Sequence, residues 1–214
     1  MTILLGLTGS IGMGKSAVAA MLREAGVPVF DADAAVHSLQ AAGGALVPAI
    51  GAAFPGTTGT AGVDRARLGA AVLGDAAALA RLEAIVHPAV AAARRAFLED
   101  HAGAALLVLD IPLLFEKGGA EAVDAVIVVS APADMQRARV LARPGMSLER
   151  FAAILALQMP DAEKRARADF VIETGVTLAE TAAAVAALVA CLRAQGVRYC
   201  RSCAKSSSIP KPPA

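Results

Sequence analysis

The sequence predicts an α/β protein, a three-layer sandwich in which helices cover a parallel central sheet. Three observations predict it. A short apolar run at residues 3–7 leads directly into Gly9-Ser-Ile-Gly-Met-Gly14-Lys15-Ser16, which fits the pattern Gly-x-x-x-x-Gly-Lys-Ser/Thr. Further short apolar runs alternate with helical segments along the chain, as expected for parallel strands buried on both faces. Of the 214 residues, 57% are apolar and 18% charged, enough to bury a substantial core. Aromatics are only 3%, so that core has to be built from Ala, Leu, Val and Ile.

The elements follow in order. Residues 3–7 form the first strand, and a helix over 16–25 follows it, stopped by Gly26. Val27-Pro-Val-Phe30 reads as a second short strand ending in Asp31-Ala-Asp33. Residues 34–101 are mostly helical, with Gly/Pro/Thr punctuation at Phe54-Pro-Gly-Thr-Thr-Gly59 and apolar spacing through Leu68, Val72, Leu79, Leu82 and Val86. Two more strands are expected at 104–109, ending at Asp110, and at 125–129. Residues 132–159 read as helix, break at Pro144-Gly145, then helix, and could form a lid. Phe170-Val-Ile172 is the last strand, and a helix follows. Ligands of such a fold gather at the carboxyl ends of the strands. The expected division is a nucleotide-binding core over 1–33, 102–131 and 165–199, a helical insertion at 34–101 placed to hold a second substrate, and a lid at 132–164. A disordered tail is expected over 200–214, where Ser206 to Ala214 carries three serines and three prolines.

Charge and composition narrow the partners. A formal net charge of +1 gives no global field for nucleic acid or an anionic membrane, and the scarcity of aromatics argues against a base-stacking surface. The most apolar later run, 182–192, is shorter than the roughly 20 residues that span a bilayer, and the N-terminus lacks the charged region of a leader. The reading is a cytoplasmic protein without nucleic-acid or membrane partners. The cysteines, Cys191, Cys200 and Cys203, lie near the C-terminus and include one Cys-x-x-Cys, too few ligands for a structural zinc site. Reduced thiols are expected there.

The chemistry centres on the glycine-rich loop. Gly9, Gly12 and Gly14 permit backbone angles and close approaches that a Cβ would block. Backbone N–H groups from Gly9 through Ile11, Gly12, Met13 and Gly14 to Ala17 can wrap nucleotide phosphates at a helix N-terminus. Lys15 can reach the β- and γ-phosphates, and the Ser16 hydroxyl can ligate Mg²⁺. The residues therefore point to binding of a nucleoside triphosphate. Asp31 and Asp33, expected to share one face at the end of the second strand, offer a general base for an acceptor hydroxyl or a cap for the next helix. Arg139 and Arg143, four apart on one helical face, could meet phosphate oxygens or form a solvated basic face. Lys164, Arg165 and Arg167 read as solvated. Histidine 87, beside the helix-breaking Pro88, reads as structural. Asp110 could serve as a second-sphere magnesium residue or bond the loop backbone.

Together these blocks carry a resemblance. Leu5-Gly-Leu-Thr-Gly-Ser-Ile-Gly-Met-Gly-Lys-Ser16, Asp31-Ala-Asp33, Leu82-Glu-Ala-Ile-Val-His-Pro88, Asp110-Ile-Pro-Leu-Leu-Phe-Glu116, Gln136-Arg-Ala-Arg-Val-Leu-Ala-Arg143, Gln158-Met-Pro and Lys164-Arg-Ala-Arg-Ala-Asp-Phe-Val-Ile172 resemble, in this order, the signature of the dephospho-CoA kinases. The resemblance implies a P-loop kinase fold that transfers the γ-phosphate of ATP, with Mg²⁺, to the ribose 3′-hydroxyl of dephospho-CoA, the last step of CoA synthesis. It implies Asp33 as base, Arg139 and Arg143 in the lid, and an acceptor site within 34–101. Three positions depart from the family pattern. Ala17 and Thr174 replace a usual threonine and asparagine, and Ile154 stands where an arginine is usual; Arg150, one turn earlier, is the expected substitute. A kinase of a nucleoside monophosphate or sugar would keep loop and lid with another acceptor pocket. A nucleotide switch is the alternative class, but the chain has no Asn-Lys-x-Asp or strand-terminal Asp-x-x-Gly motif.

Overall fold

The computed structural model describes residues 2–205. Phe30–Ala102 forms one compact unit and the flanking segments form another. The flanking unit carries the sheet. Strand β1 (Ile3–Thr8) runs into helix α1 (Lys15–Glu24), and Gly26 with φ 70° turns the chain toward β2 (Val29–Asp31). The intervening unit carries α2 (Ala32–Gln40), α3 (Val47–Ala53), β3 (Thr58–Gly59), β4 (Gly62–Val63), α4 (Arg65–Val72) and α5 (Ala76–Asp100). After it come β5 (Leu106–Asp110), β6 (Ala125–Ser130), α6 (Ala133–Leu141), α7 (Leu148–Ala156), α8 (Asp161–Arg167), β7 (Phe170–Glu173) and α9 (Leu178–Lys205).

The sheet order is β2-β5-β1-β6-β7, and β1 pairs in parallel with both β5 and β6, as β6 does with β7. Every residue of β5 and β6 is buried, which is why these strands read as unbroken apolar runs. Leu5, Leu7, Val18, Leu22, Val108, Ile127 and the α9 residues Val185, Val189 and Leu192 form one core without an aromatic except Phe170. With β5 and β6 on opposite sides of β1, the loop leaving β1 sits where the strand order switches, the place at which such sheets open a crevice.

In the other unit, α2, α3, the hairpin of β3 and β4, α4 and α5 enclose a separate core of Leu46, Ile50, Phe54, Leu68 and Ala78. Asp64 and Asp75 cap α4 and α5 by accepting N–H groups from their first turns. Leu79, expected in the core, is 46% exposed, and Ala78 takes the inward place. Pro88 lies inside α5 and does not end it, so it is not the helix breaker it was expected to be.

Two expectations about the C-terminus are corrected. Cys191 and Cys200 form a disulfide, with Cys200 buried against the sheet core, so they are not the reduced thiols of a frayed tail. Helix α9 runs to Lys205 with one non-helical residue, Gly196, so 200–205 is not part of a structureless tail. The rest of that expected tail, 206–214, lies outside the described residues. By length and composition, Ala76–Asp100 and Leu178–Arg198 are apolar enough to cross a bilayer; each turns an apolar stripe onto its own unit's core. Reading only the run 182–192 hid this, because the helix extends beyond the run.

Candidate active site

Residues 9–14 connect β1 to α1 as a tight loop whose glycines answer named obstacles. A Cβ on Gly9 would lie 2.7 Å from the Val129 carbonyl oxygen of β6, and one on Gly12 would lie 2.5 Å from Val140 Cγ2 of α6. Gly14, at φ 87°, is the N-cap of α1 and supplies no side-chain cap. The N–H groups of Lys15 and Ser16 therefore have no partner within the helix and with its dipole favour an anion, whereas the Ala17 N–H, expected among the phosphate donors, is taken by the helix itself. Ser16 is exposed in this first turn, and the Ala17 N–H donates to the Gly14 carbonyl at 3.0 Å.

The Lys15 ammonium forms an ion pair with Asp110, which stands opposite Leu7 in the β1–β5 register and is 2% exposed. Holding the loop lysine is a role that neither expectation for Asp110 had named.

Three polar side chains grip the loop's own peptide groups. Gln158 Oε1 accepts the Ile11 N–H at 3.0 Å, and Gln136 Nε2 donates to the Ile11 carbonyl at 2.8 Å. Thr174 Oγ1 donates to the Met13 carbonyl at 2.6 Å. Arg139 in turn donates to Thr174, at 2.7 Å to its carbonyl and 3.2 Å to its hydroxyl oxygen. Arg139 thus approaches the loop through Thr174. Arg143 does not share its helical face, because α6 ends at Leu141 and the Arg143 N–H bonds back to the Val140 carbonyl. The exposed Arg150 donates to the Gly145 carbonyl at 3.3 Å, within the α6–α7 connection.

Lys164 was read as solvated, and the structure reverses this. It is fully buried on α8 and lies 2.9 Å from Glu116 Oε1, which also accepts the Met159 N–H at 2.8 Å. Burial works to raise the Glu116 carboxyl, but the Lys164 ammonium and the Met159 N–H outweigh it and hold the group below the ordinary carboxylate range. Arg165 is exposed, as expected, and pairs with Glu173 at 2.6 Å. In the 30–102 unit, β2 ends at Asp31, which caps α2 by accepting the Ala34 N–H at 2.9 Å; Asp33 is exposed in the first helical turn. The two carboxylates therefore do not alternate along a strand. His87 is exposed on α5.

Lys164 and Thr174 were the residues that sequence reading undervalued. No spacing marked Lys164, because its partner Glu116 lies far away in sequence and its neighbours on α8 are mostly exposed. No signal marked Thr174 beyond its departure from the family pattern.

A parallel sheet that delivers a glycine loop, a helix N-terminus and a lysine at its switch point defines a P-loop kinase fold. The model of the dephospho-CoA kinase family matches residues 3–180. This chain belongs to that family, whose members carry out the last step of coenzyme A biosynthesis, and it is a phosphotransferase that uses ATP. A dephospho-CoA kinase from Novosphingobium aromaticivorans is 70% identical over 194 residues, covering 91% of this chain and 96% of the relative. Among solved structures, TT1252 from Thermus thermophilus is 39% identical with a TM-score of 0.74, over 88% of this chain and 97% of that one. A dephospho-CoA kinase from Campylobacter jejuni is 25% identical with a TM-score of 0.60, over 88% and 96% respectively.

Proposed function

We propose that the loop from Gly9 to Ala17 binds ATP with Mg²⁺ and that phosphoryl transfer to the ribose 3′-hydroxyl of dephospho-CoA runs on Lys15, Asp33, Arg139 and Arg143. The observation that carries this reading is the loop itself, with Lys15 tethered by Asp110 beside an uncapped helix N-terminus. The N–H groups that bind the phosphate oxygens are those left over by the loop's own ties, since the N–H groups of Ile11, Met13 and Ala17 donate to Gln158, Ser10 and Gly14, and Lys15 neutralises charge on the terminal phosphates. Ser16 offers an exposed hydroxyl oxygen, and Asp110, bound to the neighbouring lysine, offers a carboxylate. Both are hard oxygen donors of the kind magnesium takes, so these residues fit the ion, with Ser16 as its ligand. When bound, Mg²⁺ supplies charge neutralisation across the terminal phosphates.

Asp33 accepts the proton of the acceptor hydroxyl, and an exposed carboxylate in a first helical turn is free to do so. Arg139 and Arg143 meet the charge spread over the transferring group. The unit at 34–101 holds the acceptor, residues 132–164 act as the lid and exclude water, and the protein works in the cytoplasm. The test is incubation of the purified protein with Mg²⁺-ATP and dephospho-CoA, with products identified by mass and with adenylate and water-only controls. CoA formation dependent on dephospho-CoA supports the reading. Phosphorylation of adenylate, or ADP release without a phosphorylated acceptor, refutes it.

A further inference from the structure

Gln158 holds the Ile11 N–H, yet it stands on no regular element. It lies between the end of α7 at Ala156 and the start of α8 at Asp161; its own N–H is tied back to the Leu155 carbonyl at 3.0 Å, and on the following side an anchor has to come from outside the turn. The neighbouring peptide supplies that anchor, because the Met159 N–H donates to Glu116 Oε1 at 2.8 Å. The same oxygen lies 2.9 Å from the ammonium of the fully buried Lys164, which follows on α8. The start of α8 has a second tie, Ser130 Oγ donating to Asp161 Oδ2 at 2.7 Å.

A buried ion pair is a weak source of stability, since packed apolar residues of the same volume serve as well or better. This pair is also incompletely satisfied: among the described residues Glu116 Oε2 has no hydrogen-bond partner, and the Lys164 ammonium meets Oε1 at ion-pair distance without a hydrogen bond of good geometry. What the pair does supply is an acceptor at a defined point, held in place by Lys164. From that point the contacts run Glu116, Met159 N–H, Gln158, Ile11 N–H. On the far side, Gln136 donates to the Ile11 carbonyl at 2.8 Å, so the two ends of residue 11 are held by different segments and its peptides cannot rotate freely. A loop that wraps phosphates with N–H groups depends on which of them point inward, and here the Ile11 N–H is committed outward.

We propose that Glu116 and Lys164 are positioning residues for the kinase reaction, setting the 157–160 turn so that Gln158 fixes Ile11 and keeps the loop in its phosphate-receiving shape. The role rests on the proposed binding of ATP to the loop. Neither residue needs to touch substrate. Preorganisation of this kind shows in ATP affinity, because a loop that samples other shapes has to be ordered by the ligand.

The test uses the full-length enzyme. ATP binding to the unaltered protein is measured first by calorimetry; no binding refutes the reading of the loop, whereas binding that the variants leave intact refutes only the positioning role. E116L/K164M removes the charge pair and the acceptor, E116Q/K164M removes the charge pair and keeps the acceptor, and Q158M removes the acceptor of the Ile11 N–H. Loss of one such hydrogen bond should raise KM for ATP about fivefold to tenfold in E116L/K164M and in Q158M. KM for dephospho-CoA should stay within about twofold, because the bond acts on the ATP loop. E116Q/K164M should return to within about twofold of the unaltered enzyme, since an amide oxygen still accepts the Met159 N–H. The triple E116L/K164M/Q158M should be no worse than E116L/K164M, because both changes break one chain of contacts. Effects that multiply in the triple, failure of rescue in E116Q/K164M, or an unchanged KM for ATP in E116L/K164M would overturn the proposal. Should E116L/K164M not fold, M159P replaces it: it removes the N–H donated to Glu116 while also fixing φ at 159 and restricting Gln158, and an unchanged KM for ATP there overturns the proposal equally.

Discussion

Thr174→Val isolates the brace between β7 and the phosphate loop at nearly constant side-chain volume. Thr174 is 6% exposed, and its hydroxyl has one proton to donate. It lies 2.6 Å from the Met13 carbonyl and 3.3 Å from that of Ser130, so the proton belongs to Met13. Valine leaves that carbonyl, on a residue 2% exposed, without its partner, a loss of about 1–3 kcal/mol. The added methyl returns about 0.8 kcal/mol by burial. The net loss is about 0.2–2 kcal/mol, or up to roughly 8 °C in Tm for a chain of this length. Arg139 loses its 3.2 Å bond to the hydroxyl oxygen but keeps the 2.7 Å bond to the Thr174 carbonyl, so the first segment of the proposed lid stays in place. KM for ATP should therefore rise several-fold with little change in kcat, and Thr174→Ser, which keeps the hydroxyl, should keep the original KM for ATP while losing about 0.8 kcal/mol of stability with its buried methyl. Thermal melts and steady-state kinetics with ATP varied check both. Unchanged Tm and KM in T174V, or an equal rise of KM in T174S, refute the reasoning.

Other expectations follow from single features. Asp33→Asn should lower kcat at least a hundredfold with KM for ATP nearly unchanged, as loss of a general base does; a kcat near the original reassigns the base. Arg150→Ala should raise KM for ATP or lower kcat about tenfold if Arg150 stands in for the arginine missing at 154, and unchanged constants for ATP remove it from that role. The Cys191–Cys200 disulfide closes a loop with a sequence separation of 9, worth about 2–3 kcal/mol, so a thiol reductant or Cys191→Ser should lower Tm by several degrees; equal melts with and without reductant contradict the pairing. Glu116 titrates below its ordinary value of 4.5 in the folded protein, so the stability it contributes is present above about pH 4.5 and lost as pH falls through the lower folded value. Acid unfolding followed by circular dichroism should accordingly be steeper below pH 4.5 for the unaltered protein than for E116Q/K164M.

The strands β5 and β6 were legible because they are buried on both faces, and a run such as Ala125–Ser130 has no polar interruption to confuse the period. The loop was legible because the spacing Gly9…Gly14-Lys15-Ser16 directly follows the apolar run of β1. The boundary at Asp31 was not, since Asp-x-Asp after an apolar pair fits a strand end and a capped helix equally well, and only the hydrogen bond to Ala34 decides. Lys164 was misread for a similar reason. A lysine among arginines looks solvated until its partner is known, and Glu116 lies far away in sequence. The disulfide joins cysteines on either side of Gly196, a break that a continuous helical pattern conceals.

The bracing of the loop also constrains how a lid over it can move. A glycine loop has few side chains to pack, so its shape is held through its peptide groups, and here the holders are Gln136, Gln158 and Thr174. Gln136 belongs to α6, the first helix of the proposed lid, and Val140 of the same helix is fully buried, at the position where a Cβ on Gly12 would collide. A swing of α6 as a whole would therefore pull the Ile11 carbonyl with it and open the space beside Gly12, disordering the loop at the moment ATP has to be held. Closure is compatible with an intact loop only where these ties end. That leaves residues 142–157, bounded by the end of α6 and by Gln158, of which 142–145 and 147–150 are exposed. Arg143 and Arg150 fall in this stretch and Arg139 does not. On this argument Arg139 is a fixed contributor at the loop's edge, and any charge brought in by closure comes from the other two.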